Sequence, residues 1–446
     1  MSSLIIGLML IVPAVFNLPA GTELQYTGTL LQQTKTGPRE AKTFSIYAVS
    51  LPCGDSATHL AWSLDEQGDG WSWPERFGLL LSGSSNTERS RSLQLLHTHD
   101  GKQYPLPLRS PLFEFREKLS APASWNDGLV EYSVSGKRTV NDRECWIVNV
   151  DSRLGRSQSL AVDAATGILV TLDEKLFMGQ GDEFQLKIEL QFQRTQSASD
   201  LENSHVVFDS LHQIQLSLTR SGDQKNVELT AEQLKSSQST IGKIQKMSEA
   251  TPWSRLTAVI SKDLIQQELR LEGAHALAKK FVGQPAPPFS LQLPNGSHIP
   301  PAELQDKVVV LHFWEYRGEA LVEPYGQIGY LDFLNNKRSK RGVKVVGINV
   351  DGRFAGGDKS KAATLSLKKI QEFMNLGYDV AVDDGTILTQ FGDPPSLGSP
   401  LPLWVVIGRD GTVVDYHIGF YKIRPDEGLK QLDDAVVEAL RRRGRP

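Results

Sequence analysis

Cysteine is scarce in this sequence: of 446 residues, only Cys53 and Cys145 carry a thiol. Their separation excludes the Cys-x-x-Cys spacing of a redox pair. Two interpretations stay open for them. Either they form a disulfide, whose long loop would contribute about 4–5 kcal/mol in the chain-entropy model, or they are two buried free thiols in a β-rich core. Sequence alone does not show whether the two sulfur atoms meet.

The chain also lacks an excess of charge of either sign. Its 48 basic and 52 acidic residues give a net charge of −4, which offers no electrostatic reason to expect nucleic acid as a partner. P-loop, nucleophile-elbow and His-Glu-x-x-His motifs are absent, and we expect neither a cofactor nor a bound metal. The length and the hydrophobic content of 39% are those of a soluble globular protein with two or three domains.

No apolar run is long enough to span a membrane as a helix. The uncharged stretch from Leu4 to Phe16 is shorter than the roughly 20 residues that a span requires, and Pro13 disfavours a spanning helix. Its length suits the core of a signal peptide, although no basic residue precedes it. We therefore predict a signal peptide or membrane anchor over residues 1–20 and an exported protein, either periplasmic or tethered to the membrane and facing the periplasm. No cysteine ends the run, which excludes a lipid-modified cysteine there.

Residues 21–197 have the pattern of β-structure. Apolar and polar residues alternate throughout Phe184 to Phe192, which puts one face of a strand on a core and the other in water. Hairpins are predicted at two turns, Ser135-Gly136-Lys137 and Asp163 to Gly167. We predict a large curved antiparallel sheet. It resembles the open β-barrels of bacterial lipoprotein carriers, which leaves a carrier of apolar ligands as a further hypothesis for this domain.

Two side-chain groups in this β region have both a structural and a functional interpretation. His97-Thr98-His99 places two imidazoles on one side of a strand, as a metal pair would. No further ligands follow at metal-site spacing, so we favour a surface hairpin. The aromatic group Trp62, Trp71 and Trp73 belongs to the core or lines a groove, and we favour the core.

Residues 198–280 form a mostly helical connector in this interpretation. A strand is predicted first, from Ile214 to Leu218. Helical periodicity follows in two stretches: Ala231 to Met247 and Leu256 to Lys280. Thr230 with Gln233 fits a capping box at the start of the first helix, because each side chain can bond the other residue's backbone N–H group.

From residue 281 to residue 446, buried strands alternate with helices. Val308 to Trp314 is a nearly continuous apolar run, as expected for a strand buried on both faces, and Val343 to Val350 is a second. Three elements follow: a helix with Ile370, Phe373 and Met374 on one face, a hairpin across Gly408 to Gly411, and a closing helix with Leu429, Leu432, Val436 and Leu440 at helical spacing. With a helix between the first two strands, the order β-α-β-α-β-β-α predicts a thioredoxin fold, a mixed sheet flanked by helices. The whole chain is thus predicted to be a multidomain α+β protein.

The C-terminal segment resembles the TlpA/ResA-type extracytoplasmic thioredoxins, which are related to the AhpC/TSA redoxins. Five stretches carry the resemblance in order: Gly283 to Phe289, Asp306 to Trp314, Val346 to Asp351, Asp383 to Gly385, and Gly398 to Ile407. Each is a weak signal alone, and their common order and spacing make the resemblance specific. It implies a thioredoxin fold over the last third of the chain and a thiol-disulfide oxidoreductase activity.

In that family, a strand ending in Phe-Trp leads into a Cys-x-x-Cys turn at the start of a helix, where N–H groups stabilise the reactive thiolate. Alignment on Trp314 and on Glu323-Pro324, with a short deletion between them, puts Arg317 and Ala320 at the two cysteine positions. Neither side chain forms a thiolate or a disulfide, and the domain has no other cysteine. The redox site that the resemblance implies is therefore degenerate, and we assign no catalytic residue.

Pro402 matches the family's cis-proline, which faces the redox turn and offers backbone for strand-like pairing with a substrate peptide. It serves partner binding, or it is needed simply to fold the hairpin. Arg317, at a helix start with free N–H groups, would bind an anion or carboxylate, or it is a solvated side chain in a degenerate turn. Together with Trp314, these two residues are the binding candidates.

Two functional hypotheses follow. The favoured one is an exported, non-catalytic binding or assembly module whose partner is an extracytoplasmic protein or peptide, with a membrane tether if the N-terminal segment is retained. The alternative is a thiol-disulfide oxidoreductase or redoxin of the TlpA/ResA type, which would require Cys53 and Cys145 to act from the other domain. The replaced cysteines favour a protein that is not an enzyme.

Overall fold

The computed structural model describes residues 18–53, 57–80, 92–128, 130–152, 155–218, 229–316, 327–399, 401–424 and 426–442. The apolar run of the predicted signal segment lies outside these ranges, so the signal peptide or anchor stays a prediction. No helix within these ranges is long and apolar enough to cross a membrane.

The internal contacts divide the chain into two compact units. The first comprises residues 1–220 and 225–264, and the second comprises residues 221–224 and 265–446. The division falls inside the predicted helical connector, after Leu264, and not at its end near residue 280. Most residues of the connector therefore group with the first unit.

The first unit contains a large antiparallel sheet. Its strands are β1 (Thr22–Thr34), β2 (Gly37–Cys53), β3 (Ala57–Glu66), β4 (Phe77–Leu80), β5 (Gln94–His99), β6 (Lys102–Pro107), β7 (Ala123–Asn126), β8 (Val130–Val140), β9 (Arg143–Ser152), β10 (Ser157–Asp163), β11 (Leu169–Met178) and β12 (Asp182–Thr195). Ten of them form one sheet in the order β4-β3-β2-β1-β12-β11-β10-β9-β8-β7, while β5 and β6 form a separate hairpin. Every neighbouring pair is antiparallel, which confirms the predicted sheet.

One face of this sheet carries the core of the first unit. On β12, Phe184, Leu186 and Ile188 are buried, while the polar residues between them are more exposed, as the alternation predicts. The β5–β6 hairpin adds Leu95 and Leu106 to the same buried cluster. Because each fully buried side chain of this kind contributes about 1.5–3 kcal/mol, a shift of register by one residue would be costly.

All three tryptophans on and after β3 are at least partly buried, as the favoured interpretation predicts, and Trp62 is a member of this core cluster. Trp62 and Trp73 are buried, and Trp71 packs partly buried against the same cluster. The indole Nε1–H of Trp73 donates a hydrogen bond to Oδ2 of Asp263 at 2.8 Å. The ring is thus buried while its one polar group is satisfied.

The β8–β9 hairpin turns later than the sequence predicts. Gly136 lies inside β8, where the register shifts between Val134 and Gly136 as in a β-bulge. The turn is made by Asn141 and Asp142, whose φ angles of 49° and 60° lie in the left-handed region that a tight hairpin turn requires. The predicted turn is wrong because a glycine in a strand pattern marks either a turn or a bulge, and local sequence does not separate the two. The second predicted hairpin, across Asp163 to Gly167, is confirmed.

Three helices follow the sheet: α1 (Ala198–Ser217), α2 (Ala231–Ser248) and α3 (Ser254–Phe281). The capping box of α2 is confirmed, since Thr230 accepts from the Gln233 N–H and the Gln233 side chain accepts from the Thr230 N–H. The strand predicted from Ile214 to Leu218 is wrong. The buried residues of this stretch belong to α1. They continue the buried stripe of Phe208 and Leu211 at three- and four-residue spacing, as in a helix.

The second unit is built on a five-stranded mixed sheet. Its elements are β13 (Val308–Trp314), α4 (Ile328–Arg338), β14 (Val343–Val350), α5 (Asp358–Met374), β15 (Asp379–Asp383), α6 (Thr386–Gln390), β16 (Leu403–Ile407), β17 (Val413–Ile418) and α7 (Lys430–Arg441). The sheet order is β15-β14-β13-β16-β17. The first three strands in the chain are parallel, and β16 and β17 are antiparallel to their neighbours. This arrangement is the predicted thioredoxin fold.

Two details of this unit differ from the prediction. The sequence pattern does not predict β15, which has only five residues and joins the sheet through β14. Phe373 does not share the buried face of α5: Ile370 is buried, whereas Phe373 is 76% exposed. It lies about 100° around the helix from Met374, at the edge of the apolar stripe and not within it.

The central strand β13 is buried along its whole length, as its apolar run predicts. Val310 faces one buried cluster, which includes Leu331 of α4 and Val436 of α7. Leu311 faces a second buried cluster on the other side of the sheet, which includes Phe391. The strand is therefore covered on both faces, as in other α/β folds with parallel strands.

We predict that Gly28 on β1 does not tolerate a methyl group. A Cβ atom on Gly28 would lie 2.0 Å from Cζ of Phe44 on β2, whose ring covers the glycine. We expect Gly28→Ala to lower the free energy of unfolding by about 1–3 kcal/mol, because the buried ring has to move.

Gly242→Ala is the matched control for this variant. Nothing lies within 4 Å of a Cβ atom built on Gly242, which is in the middle of α2. Alanine there should raise the free energy of unfolding by about 0.5–1 kcal/mol. Urea unfolding followed by circular dichroism measures both variants, and a Gly28→Ala protein as stable as the wild type would contradict the prediction.

Candidate functional site

The candidate site lies at the carboxyl end of β13, which Trp314 completes. Trp314 is buried, and the centre of its ring lies 6.2 Å from that of Tyr316. Arg317 and Ala320, at the aligned cysteine positions, lie outside the described residues, so their roles stay predictions. The described part of the site is formed by the end of β13, the start of β16 and the residues after β17.

Pro402 directly precedes β16. The Leu401–Pro402 peptide bond is cis, as the alignment predicts. Pro402 is buried, and its carbonyl oxygen accepts a hydrogen bond from the N–H of Gly419 at 2.7 Å. Neither Trp314 nor the Pro402 ring is therefore exposed for direct contact with a partner, although both were binding candidates.

Residues 419–421, which follow β17, are held by hydrogen bonds at both ends. The carbonyl of Gly419 accepts from Nε1–H of Trp404 at 3.0 Å. The N–H of Tyr421 donates to Oε1 of Gln327 at 3.0 Å, and Nε2 of Gln327 donates to the Tyr421 carbonyl at 2.7 Å. Together with the bond from Gly419 to Pro402, these contacts fix the backbone of this short segment.

Phe420 is the exposed residue of this segment. Its side chain is 47% exposed, although the residues on both sides of it are anchored. A large apolar side chain on a fixed backbone suits an interface, because little conformational entropy is lost when it binds. Sequence reasoning missed Phe420, since nothing in its local sequence distinguishes it from a core phenylalanine.

The rings of two histidines, one tryptophan and one tyrosine stack beside this segment. His312, Trp404 and His417 lie directly opposite one another on β13, β16 and β17. The His312 and Trp404 ring centres are 3.8 Å apart, and those of His417 and Tyr421 are 3.9 Å apart.

Burial lowers the pKa of His417 despite the nearby Asp415 carboxylate, so its imidazole is neutral near pH 7. The Tyr421 hydroxyl donates to Oδ2 of Asp415 at 2.8 Å, which satisfies its polar group and leaves the stack as a rigid support for the site.

Comparison with known proteins assigns a family to this part of the chain. Residues 282–416 match the model of the AhpC/TSA family. The C-terminal domain is a thioredoxin-like domain of the AhpC/TSA type. No curated protein matches the chain.

Solved structures of similar proteins align with about a third of the chain. A candidate thiol:disulfide interchange protein DsbE from Chlorobium tepidum is 25% identical, with 36% of this chain and 97% of that chain covered and a TM-score of 0.27. A thiol:disulfide interchange protein of the thioredoxin family from Chlorobium tepidum TLS is 20% identical, with coverages of 35% and 97% and a TM-score of 0.28. The thioredoxin domain of a thiol-disulfide oxidoreductase from Bacteroides vulgatus is 15% identical, with coverages of 35% and 97% and a TM-score of 0.26.

The AhpC/TSA domain of this chain contains no cysteine, since Cys53 and Cys145 both precede it. Cys145 on β9 is a buried free thiol. Burial raises the pKa of this thiol, and the Asp163 carboxylate raises it further. Because Cys145 is free, the disulfide interpretation is wrong: Cys53 ends β2, and four strands separate β2 from β9 in the sheet. A thiol whose pKa is raised is a poor nucleophile near neutral pH.

Cys145 should therefore react slowly with iodoacetamide in the folded protein. In a Cys53→Ser variant at about pH 8, we expect native Cys145 to stay largely unmodified under conditions that fully modify the urea-unfolded chain, because only the thiolate reacts. Intact-mass spectrometry measures the modified fraction.

The control for this experiment is an exposed thiol in the same chain. Ser199→Cys, introduced together with Cys53→Ser and Cys145→Ala, places a thiol at an exposed position of α1. It should be modified completely in the native protein. Native modification of Cys145 at the rate of this introduced thiol would contradict the prediction.

Proposed function

We propose that this protein is an exported binding or assembly module whose AhpC/TSA domain holds a partner protein or peptide without exchanging disulfides. The observation that carries the proposal is that residues 282–416 contain no cysteine. Disulfide exchange needs one thiolate to attack and a second thiol to resolve the mixed disulfide. Arg317 and Ala320, at the aligned positions, supply neither.

The segment at residues 419–421 supports binding as the remaining role of this face. Its backbone is held by Pro402, Trp404 and Gln327, while the Phe420 side chain is exposed. Leu401, which directly precedes Pro402, is half-buried. These apolar side chains favour an apolar segment of a protein as the partner.

Thiol-disulfide oxidoreductase activity is the second candidate, because the family match and the names of the aligned structures favour it. It would have to use Cys53 and Cys145. Cys145 is buried in a β-strand, and its surroundings raise its pKa. Reactive cysteines instead lie at helix starts or beside cations that lower the pKa, so this thiol lacks the usual activation.

A carrier of apolar ligands receives less support. The β5–β6 hairpin packs its leucines into the core of the ten-stranded sheet. One cavity among the described residues, bordered by Arg109, Leu112 and Leu160, has a volume of about 10 Å³, which is room for one water molecule. Small-molecule pockets usually have volumes of about 300–1,000 Å³.

Export is part of the proposal and rests on residues 1–20. Their uncharged stretch has the length of a signal-peptide core, and the proposal places the protein in the periplasm, either free or tethered to the membrane. A shorter mature chain in the periplasmic fraction would support cleavage. Recovery of the full-length chain in the cytoplasmic fraction alone would overturn this part.

Disulfide turnover separates binding from redox catalysis. We expect reduction of a model disulfide by dithiothreitol to proceed no faster with this protein than without it, because the AhpC/TSA domain has no thiol. A thioredoxin with an intact Cys-x-x-Cys turn is the positive control. Turnover that Cys53→Ser or Cys145→Ser abolishes would overturn the proposal in favour of the oxidoreductase.

Site-specific crosslinking tests the binding face. We expect a photo-reactive amino acid at position 420 to give a defined adduct in envelope preparations, and Phe420→Ala to weaken binding of the captured protein by about tenfold or more. Position 373 is the matched control, because Phe373 is also an exposed phenylalanine of this domain. The same adduct from both positions, or unchanged binding by Phe420→Ala, would contradict the proposal that this face binds the partner.

A further inference from the structure

The tip of the β5–β6 hairpin lies against the turn between β11 and β12. Asp100 and Gly101 form the tip, with φ angles of 49° and 71°, as in a tight two-residue hairpin turn. Gly179 of the other turn touches the hairpin closely, since a Cβ atom on Gly179 would lie 3.0 Å from the His99 ring. The N–H of Gly179 also donates to the Tyr104 hydroxyl at 3.2 Å. Both turns are therefore held in place by contacts within the first unit.

Three metal-ligating side chains meet where these turns touch. Nε2 of His99 is 2.7 Å from Oδ2 of Asp182 and 3.6 Å from Oδ2 of Asp100. One ligand atom from each of the three residues lies within 4.8 Å of the others. The residues come from the end of β5, the hairpin tip and the start of β12, so the cluster depends on the tertiary fold.

The His99 imidazole is the fixed member of this cluster. Its ring meets the Phe184 ring edge to face at 5.1 Å and lies parallel to the His97 ring at 6.3 Å. The His99 side chain is 12% exposed, whereas the side chains of Asp100 and Asp182 are 66% and 49% exposed. The nitrogen ligand is thus held by packing, and the two carboxylates leave the cluster open to an ion from solvent.

We propose that His99, Asp100 and Asp182 bind a first-row divalent cation, with zinc as the representative ion. One imidazole nitrogen and two carboxylates form a mixed nitrogen and oxygen ligand set that suits zinc better than calcium or magnesium, which prefer oxygen alone. The two carboxylates balance the charge of the ion, and water completes the coordination. The ion binds the His99 tautomer that carries its proton on Nδ1, so that the Nε2 lone pair faces the metal and the hydrogen bond to Asp182 gives way to two metal–ligand bonds.

This inference changes the interpretation of the two histidines on β5. Their imidazoles lie on one side of the strand, as the sequence predicts, but the second and third ligands are carboxylates. His97 is not a member of the cluster. It stacks on His99 and contacts Phe184, which positions the His99 ring.

Calorimetric titration of the untagged full-length protein with zinc chloride tests the site. We expect one zinc ion per chain. His99→Gln and Asp182→Asn should each weaken binding by about 100-fold or more, since loss of a direct ligand costs at least as much as loss of a supporting contact. Zinc should also raise the thermal unfolding temperature of the wild type and not that of Asp182→Asn.

His205→Gln is the matched control, because His205 also pairs with one carboxylate, Asp209, at 3.4 Å, yet belongs to no three-ligand cluster among the described residues. It should bind zinc like the wild type. Asp100→Asn provides a second test variant that keeps the fold, because asparagine tolerates the positive φ of this turn. Wild-type zinc affinity in His99→Gln, Asp182→Asn and Asp100→Asn would overturn the proposal, as would calcium binding at equal affinity.

Discussion

The burial of β13 on both faces is the constraint on which the C-terminal domain depends. All seven residues of this strand are buried, so its backbone N–H and C=O groups have no access to water and need partners in the sheet. β14 supplies them in parallel and β16 in antiparallel register. This pairing fixes where β13 ends, at Trp314, and where β16 begins, directly after Pro402. The geometry of the site therefore follows from core packing and does not depend on a redox cysteine.

The same constraint explains how this fold is held together without a cysteine in residues 282–416. The contacts that hold residues 419–421 come from the Pro402 carbonyl, the Trp404 indole and the Gln327 amide. None of these groups is a thiol, so the contacts do not depend on a cysteine. The result is a short segment whose backbone is fixed by hydrogen bonds and whose phenylalanine, Phe420, is exposed.

In the first unit, short turns decide which distant residues meet. The turn at Asn141 and Asp142 sets the register of the β8–β9 hairpin, and the turn at Asp100 carries a carboxylate to the same place as His99. The pattern of the sequence predicts the strands beside these turns, because alternation reports which face is buried. It misplaces the turn at Gly136, because a glycine is equally compatible with a bulge.

The sequence by itself determined the strands and helices in which buried residues recur at a regular spacing. It also determined which reactive side chains each part of the chain contains. The alternation of β12, the capping box of α2 and the apolar run of β13 are local properties, and the lack of a thiol after Cys145 needs no coordinates. Only the tertiary structure decided that Phe420 is exposed and that His99 meets Asp182, which is 83 residues away in the chain. Such contacts depend on sheet register, bulges and turn geometry acting together. The local periodicity of the sequence does not predict that combined effect.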